Sequence, residues 1–351
     1  MQPDIFGPGT GTDTSGVLTP GAVGWAVGVA AMAPSLHNSQ PWLFHWNGSD
    51  LEVHADWSRQ LPVIDPDGRQ LLLSCGAALF QGALAMRALG RTAEITLADE
   101  VGAGIPLACI HGATRDERAP GFEEWALVNA VFERRTTRAM FNARRVPASL
   151  LADLTDAVSL EGAHLHVVAE GDTTQVTALA HTLALADRAQ RASPHYRREL
   201  QEWTRPAGDG TPDGVPQVAA GARRPVPEPE PGEFLQRDFG SDRLWQGPPE
   251  HPTIMLLSAE DDQQSLLRAG MALARLLLVA TAAGAKASLL NQAVDLAGSR
   301  EMVRRHTRTP ALPQVLLRLG YTDEVAAPTP RRPVTEILMT SDPCTWAPSP
   351  R

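Results

Sequence analysis

Residues 75–93 and 269–287 superpose at a single offset of 194: Gly76 on Gly270, Ala78 on Ala272, Leu79 on Leu273, Leu84 on Leu278, Ala88 on Ala282, Gly90 on Gly284 and Ala93 on Ala287. Helices rich in Ala and Leu match one another easily, so the repeat gains weight from an earlier alignment at a different offset. Pro20 falls on Pro147, Val27 on Leu154 and Ala30 on Ala157, an offset of 127. The offset therefore grows by 67 residues between the two alignments, room for one large insertion in the second half. A helix, a hairpin, an apolar helix and a strand used twice is the economical account. The expected fold is α+β, with two homologous halves at residues 17–130 and 131–340 and a lid-like excursion at about 204–240.

That excursion explains part of an unusual composition. The chain has 29 glycines and 29 prolines, and residues 204–240 alone hold six of the first and seven of the second. Such a stretch is not expected to pack as a core element. Around it the pattern is ordered. Residues 20–32 read as a helix that Pro34 stops. Residues 42–46 and 50–55 read as the strands of a hairpin around Asn47-Gly48. Residues 71–89 read as an apolar helix, with strands at 93–97 and 106–111. In the second half, a helix at 147–158 and a strand at 163–169 precede one long helix or two over 176–202. A strand at 251–258 and a helix at 265–283 follow the excursion.

Several function classes drop out early. A net charge of −9 argues against a nucleic-acid-binding protein, where a basic face is expected. The apolar stretch 266–285 carries Arg268 and Arg275 on one side, which reads as a buried helix with a polar stripe and not a membrane span. Cys75, Cys109 and Cys344 are too few and too scattered for a disulfide framework or a zinc site, and fit a reducing, cytoplasmic compartment. No signal-peptide pattern is visible at the N-terminus.

Three runs carry potential chemistry. Residues 33–42 (APSLHNSQPW) join a helix to a strand, with two prolines fixing the path. They read either as a polar helix-terminating turn or as a rigid loop presenting Ser35, Asn38 and Gln40 to a ligand beside Trp42. Residues 133–141 (ERRTTRAMF) read as a solvated patch or as a phosphate site, since guanidinium offers forked charged donors and Thr a neutral one. Arg331 and Arg332, after Leu319-Gly320-Tyr321, form the third run, whose plain reading is an exposed basic turn.

These runs carry a family resemblance. APSLHNSQPW closely resembles the APSxxNxQPW element of FMN-dependent nitroreductase-like flavoproteins. ERRTTRAMF resembles their RRSxRxF phosphate element, and LGYTDEVAAPTPRRPVTEIL (319–338) their C-terminal ending. A single chain with two halves and a lid is similar to the Acg family, in which one polypeptide imitates the usual dimer; the resemblance covers nearly all of residues 17–340. It implies a nitroreductase-like fold, FMN as cofactor and NAD(P)H as electron donor. It also implies that Arg134 binds the FMN phosphate with Arg331 or Arg332, that Thr136 donates to phosphate or ribityl, and that Arg138 meets the flavin N1/C2=O edge. Pro34, Ser35 and Asn38 would cover the ring system. Leu290, Asn291 and Gln292 stand where the family aims backbone N–H at flavin N5, although its usual Glu-Gly is here Asn291-Gln292.

The two halves divide these motifs. The first has the APSLHN loop but no arginine in residues 1–20, and the second has the arginine run but VSLEGA where the loop would stand. One composite FMN site between the halves is the expectation, reducing an electron-poor small molecule, with no catalytic side chain demanded. The alternative is an FMN-sequestering or storage protein without turnover. Its partners are then FMN and a small molecule, with no nucleic acid and no membrane. A monomer is expected, further dimerisation being left open. His164 and His166 share a strand face but lack a third ligand, so no metal is assigned. His37 reads as a contact to flavin or substrate, or as a loop stabiliser. Arg223 and Arg224 read as steering charges or as plain surface. Gly7 to Gly11 lack the preceding strand that a dinucleotide fingerprint requires.

Overall fold

The computed structural model describes residues 18–100, 102, 104–169, 171–221, 232–240, 250 and 252–339. The glycine-rich N-terminal run, Arg223, Arg224 and Cys344 lie outside them. In chain order the elements are α1 (Pro20–Ala30), β1 (Trp42–Trp46), β2 (Asp50–Ala55), α2 (Arg69–Ala88), β3 (Glu94–Leu97), β4 (Ala108–His111) and α3 (Phe122–Glu133). Then come α4 (Ala148–Ser159), β5 (His164–Val167), α5 (Thr173–Ala192), α6 (Pro194–Glu202), β6 (Thr204–Arg205) and β7 (Val215–Pro216). The chain continues with β8 (Thr253–Ala259), α7 (Gln263–Ala282), β9 (Lys286–Leu289), α8 (Gln292–Asp295), α9 (Ala297–Thr307), β10 (Leu312–Gly320), α10 (Val334–Ile337) and β11 (Leu338–Met339). The long helical stretch before the excursion is two helices, because Ser193 ends one and caps the next, with Pro194 opening it.

The repeat seen in the sequence is a repeat of topology. One sheet runs β1-β2-β4-β3 and the other β5-β8-β10-β9, so the strands correspond place for place, and every pairing within each set is antiparallel. The matched helices α2 and α7 have 20 residues each and end alike. Gly90 and Gly284 both take a φ of 77°. Their N–H groups bond the carbonyls of Arg87 at 2.8 Å and Thr281 at 2.9 Å. The next residues, Arg91 and Ala285, reach back to Met86 at 3.0 Å and Ala280 at 2.9 Å. Each is a Schellman ending, in which glycine alone enters the left-handed region without a Cβ penalty.

The two helices cross at their matched glycines. A Cβ on Gly76 would stand 2.1 Å from the Leu267 carbonyl oxygen, and a Cβ on Gly270 would stand 2.1 Å from that of Leu73. Leu73 and Leu267 are themselves matched by the 194 offset, so the contact is reciprocal, as about a twofold axis. Both helices are apolar enough to span a bilayer by length and composition, but they bury these faces on each other and on the sheets. One core gathers the first half together with Leu267, Met271, Ala274 and Leu278 of α7, while the second-half core includes Leu73 of α2. Arg275, part of the polar stripe, pairs with Glu161 at 2.6 Å and lies over Phe80.

At the C-terminus β11 adds in parallel to β1, pairing Phe44 with Leu338 and His45 with Met339, so the chain's end returns to the first sheet. Residues 204–221 and 232–240 behave differently from their composition. Val215, Ala220 and Phe239 form a small buried cluster with Leu200, and Phe234 joins a core beneath α5. The proline and glycine content sets the path of this segment, and four apolar side chains suffice to seat it.

Alanine at either crossing glycine is expected to cost about 3 kcal/mol or more, because backbone must move. The double variant should cost less than the sum, both changes straining one contact. Gly28→Ala, whose Cβ would sit 3.7 Å from Val334, serves as the tolerated control. Thermal or urea denaturation of these four variants beside the native chain checks the order.

Candidate functional site

A cavity enclosing about 1070 Å³, its mouth included, opens where the halves, the 204–240 segment and the C-terminal run meet. Five arginines line it (Arg134, Arg135, Arg138, Arg237 and Arg331), and no carboxylate residue among the described residues does. The positive lining is built from separate stretches of chain, which is why a net charge of −9 conceals it.

The first wall is the loop after α1. His37, Asn38 and Gln40 hold φ of 49°, 57° and 51°, a run of left-handed backbone that folds the loop back on itself. Ser35 Oγ accepts the Gln40 N–H at 2.9 Å. Asn38 then ties three segments together. Its Nδ2 donates to the carbonyls of Gly214 at 3.0 Å and Pro330 at 3.1 Å, and its Oδ1 accepts from Arg331 at 3.0 Å.

The second wall follows α3. Thr136 bridges in parallel to Ala287, so this strand-like segment runs beside the start of β9. Arg134 ends α3 and points inward, 5% exposed. Its guanidinium reaches the Met32 carbonyl at 3.3 Å, and Arg331 reaches the same oxygen at 3.1 Å. That carbonyl lies at the C-terminal end of α1, the negative end of the helix dipole. Neither arginine has a carboxylate partner among the described residues, and the Nε of each is buried without a hydrogen bond. Burial and the Arg135 charge pull Arg134 down to about 10. Burial together with Arg134 and Arg135 pulls Arg331 to about 9. Arg138 is pulled to about 10 by burial and by Arg237. Buried cations this close repel one another, and an anion between them removes the penalty.

Of the residues singled out from sequence, Pro34, Ser35, Asn38, Arg134, Thr136, Arg138, Asn291 and Arg331 line this one cavity. Four do not. Gln40 is fully buried in the scaffold, its amide donating to Pro212 and accepting the Arg332 N–H. Arg332 bonds the Gln40 carbonyl and pairs with Asp56 at 3.6 Å. Leu290 faces the core beneath α5, while its neighbours Ser288, Leu289 and Asn291 face the cavity. Gln292, 1% exposed, turns toward Asp187. Which of these residues border the cavity depends on the pairing of β9 with β10, and that register is invisible in the sequence.

Other lining groups stand outside the motifs: Gln70, Ser74, Arg237 and Phe239. Gln70 and Ser74 sit on the first turns of α2, whose start is capped by Asp65, accepting from the N–H groups of Gln70 and Leu71 at 2.9 Å each. Cys75, next along α2, gives its thiol to the Pro41 carbonyl at 3.1 Å; burial raises its pKa, so it is a packing residue. His166 bonds Gln175, away from a metal-like arrangement.

Residues 204–221 and 232–240 pack against this wall. Asp213 pairs with Arg59 and with Arg205, Gly214 meets Asn38, and Arg237 pairs with buried Asp295 at 2.7 Å. Gly221 holds a φ of 75°, and a Cβ there would stand 2.5 Å from Cβ of Arg138, so the segment passes directly against that arginine.

The cavity therefore suits a ligand that brings a phosphate-like anion to Arg134 and Arg331. Burial and the Arg135 charge hold the Arg134 pKa at about 10 in the folded protein, below its value in the unfolded chain. Between those values the unfolded state binds more protons, so the anion-free protein gains stability as pH rises, and below them the unmet charge is a standing cost. Arg134→Met is thus expected to be at least as stable as the native chain at pH 7 in anion-free buffer. The native chain should gain on it only as pH rises through about 10. Inorganic phosphate should raise the melting temperature of the native protein and not of Arg134→Met, as read by calorimetry.

No family model matches the chain. An uncharacterised protein of Mycobacterium tuberculosis, Rv3127, is 31% identical over 325 residues, covering 89% of this chain and 91% of its own length. The putative NAD(P)H nitroreductase acg of the same organism is 30% identical over 329 residues, covering 92% and 96%. Among solved structures, the FMN-dependent nitroreductase NfnB of Mycobacterium smegmatis, in complex with NADPH, aligns at 17% identity and a TM-score of 0.40, over 62% of this chain and 98% of that one. The identity and the near-complete two-way coverage place the chain in the Acg family of nitroreductase-like proteins.

Proposed function

We propose that the chain is an FMN-binding oxidoreductase with one composite site, in which the phosphate lies between Arg134 and Arg331. The observation that carries this reading is the pair of guanidiniums from the two ends of the second half, sharing the carbonyl of first-half Met32 and lacking a carboxylate partner among the described residues. Arginine pairs of this kind match a phosphate's oxygens with charged, forked donors. Thr136 adds a neutral donor beside them. Pro34, Ser35 and Asn38 provide the wall over a ring system, and Asn291, whose Oδ1 is buried without a partner, provides a polar group opposite. Arg138 sets a positive potential at the other end, which favours an electron-rich state of whatever ring rests there. Arg332, Gln40, Leu290 and Gln292 have supporting roles in this account.

Bound FMN would supply hydride transfer from NAD(P)H to an electron-poor acceptor. The protein's part is to hold the anion, exclude water and shape access. A cytoplasmic location agrees with the free thiols of Cys75 and Cys109. The second reading, sequestration without turnover, draws on the contacts that fasten residues 204–240 over the loop at Asn38, Asp213 and Arg237. A segment that stays fastened would deny nicotinamide the ring face, and one that opens would admit it.

Purified protein should be yellow. Arg134→Ala should weaken FMN affinity about 100-fold, as measured by fluorescence titration, which corresponds to the loss of a charge-assisted contact to phosphate. Unchanged affinity would place the phosphate elsewhere. Anaerobic bleaching by NADPH or NADH supports turnover, and a spectrum that stays oxidised under excess of both supports sequestration.

A further inference from the structure

His37 has no account in the site as described so far. It is 6% exposed, lines the cavity, and sits at a φ of 49° in a loop held on both sides. Both ring nitrogens are buried without a hydrogen-bond partner. A buried imidazole with one orphaned nitrogen is already costly, and two are not retained by packing alone. Backbone strain at a non-glycine residue adds a second cost at the same position. The ring is not loose. It meets Phe239 of the 204–240 segment edge-on, with centroids 5.5 Å apart and planes at 83°. Its charged neighbours are Arg237 and Arg138, not the Arg134–Arg331 pair, so it belongs to the end of the cavity away from the phosphate-type site. Burial and those two cations hold its pKa well below the ordinary histidine value, so the ring is neutral at pH 7, with one N–H donor and one acceptor nitrogen.

We propose that His37 is a substrate-contacting residue: its neutral imidazole donates a hydrogen bond to an oxygen of a planar acceptor that rests against Phe239. The ligand class is an aromatic or quinonoid ring bearing a carbonyl or nitro oxygen. A neutral donor suits such an oxygen because it orients the ring without adding a proton to it. The inference rests on the FMN reading of the site. The carbonyl edge of the flavin has the same chemistry, and the test separates the two sources.

The probe is 1,4-naphthoquinone, titrated into oxidised FMN-loaded protein without reductant, so that binding is read from perturbation of the flavin spectrum and no turnover occurs. Two variants remove the donor differently. His37→Asn tolerates the left-handed backbone but is too short to reach, and His37→Phe keeps ring bulk without nitrogen. Both should bind FMN as tightly as the native chain and bind the quinone about 10-fold more weakly, the worth of one buried hydrogen bond. His37→Gln, which keeps an N–H at similar reach, should recover most of that loss. Native quinone affinity should stay level from pH 6 to 9, because the ring does not charge in that range. Quinone binding undiminished in both His37→Asn and His37→Phe overturns the proposal. Weakened FMN affinity in them, with quinone affinity unchanged once loaded, assigns His37 to the flavin edge and also overturns it. A native chain that takes up no FMN removes the reading of the site itself, and the proposal with it.

Discussion

The close crossing of α2 and α7 is the contact on which the remaining architecture depends. Two 20-residue apolar helices can bury themselves in many ways, but glycine at the matched positions 76 and 270 lets each backbone approach the other's carbonyl, and any side chain there would hold them apart. The crossing brings the two antiparallel sheets to fixed places on either side. It also makes each half's core incomplete without the other's helix. The pair therefore acts as a dimer interface written into one chain, tethered so that association costs no translational entropy.

The cavity exists because this near-symmetry is broken. Between α1 and β1 the first half inserts residues 31–41, with their left-handed backbone and polar groups, whereas α4 and β5 are joined by residues 160–163 alone. In that short join Glu161 is spent on Arg275, so nothing like Asn38 projects from it. The arginine run exists only after α3, and the C-terminal run carrying Arg331 reaches it by returning to β1. Of the two places that the repeat makes equivalent, one thus collects the loop, the arginines and the run carrying Arg331. Residues 204–221 and 232–240, which lie between β5 and β8 of the second half, border that place.

Much of this was legible in the residues, for identifiable physical reasons. The helix repeat survived because glycine at a crossing and at a helix end has no substitute, so Gly76/Gly270 and Gly90/Gly284 kept a common offset. The site loop was legible because prolines and small polar residues between a helix and a strand are a compact signature. Side-chain direction was less so. Arg331 enters the cavity and Arg332 leaves it, and Leu289 faces in while Leu290 faces the core; neighbours in sequence part company according to pairings made with distant strands. The insertion was seen as loop composition, yet its seating depends on Val215, Ala220, Phe234 and Phe239, four apolar residues spread too thinly to show a period. His37 was visible as a letter in a motif, and its orphaned nitrogens could be known only from what surrounds them.

The central claim is that two near-equivalent halves make one site and not two. Native mass spectrometry of the FMN-loaded protein, with the FMN-to-chain ratio checked by absorbance, tests it directly. The account predicts a saturating ratio of one FMN per chain, including under excess FMN. A ratio of two would mean that the second cleft is also a site and that the asymmetry described here does not govern binding.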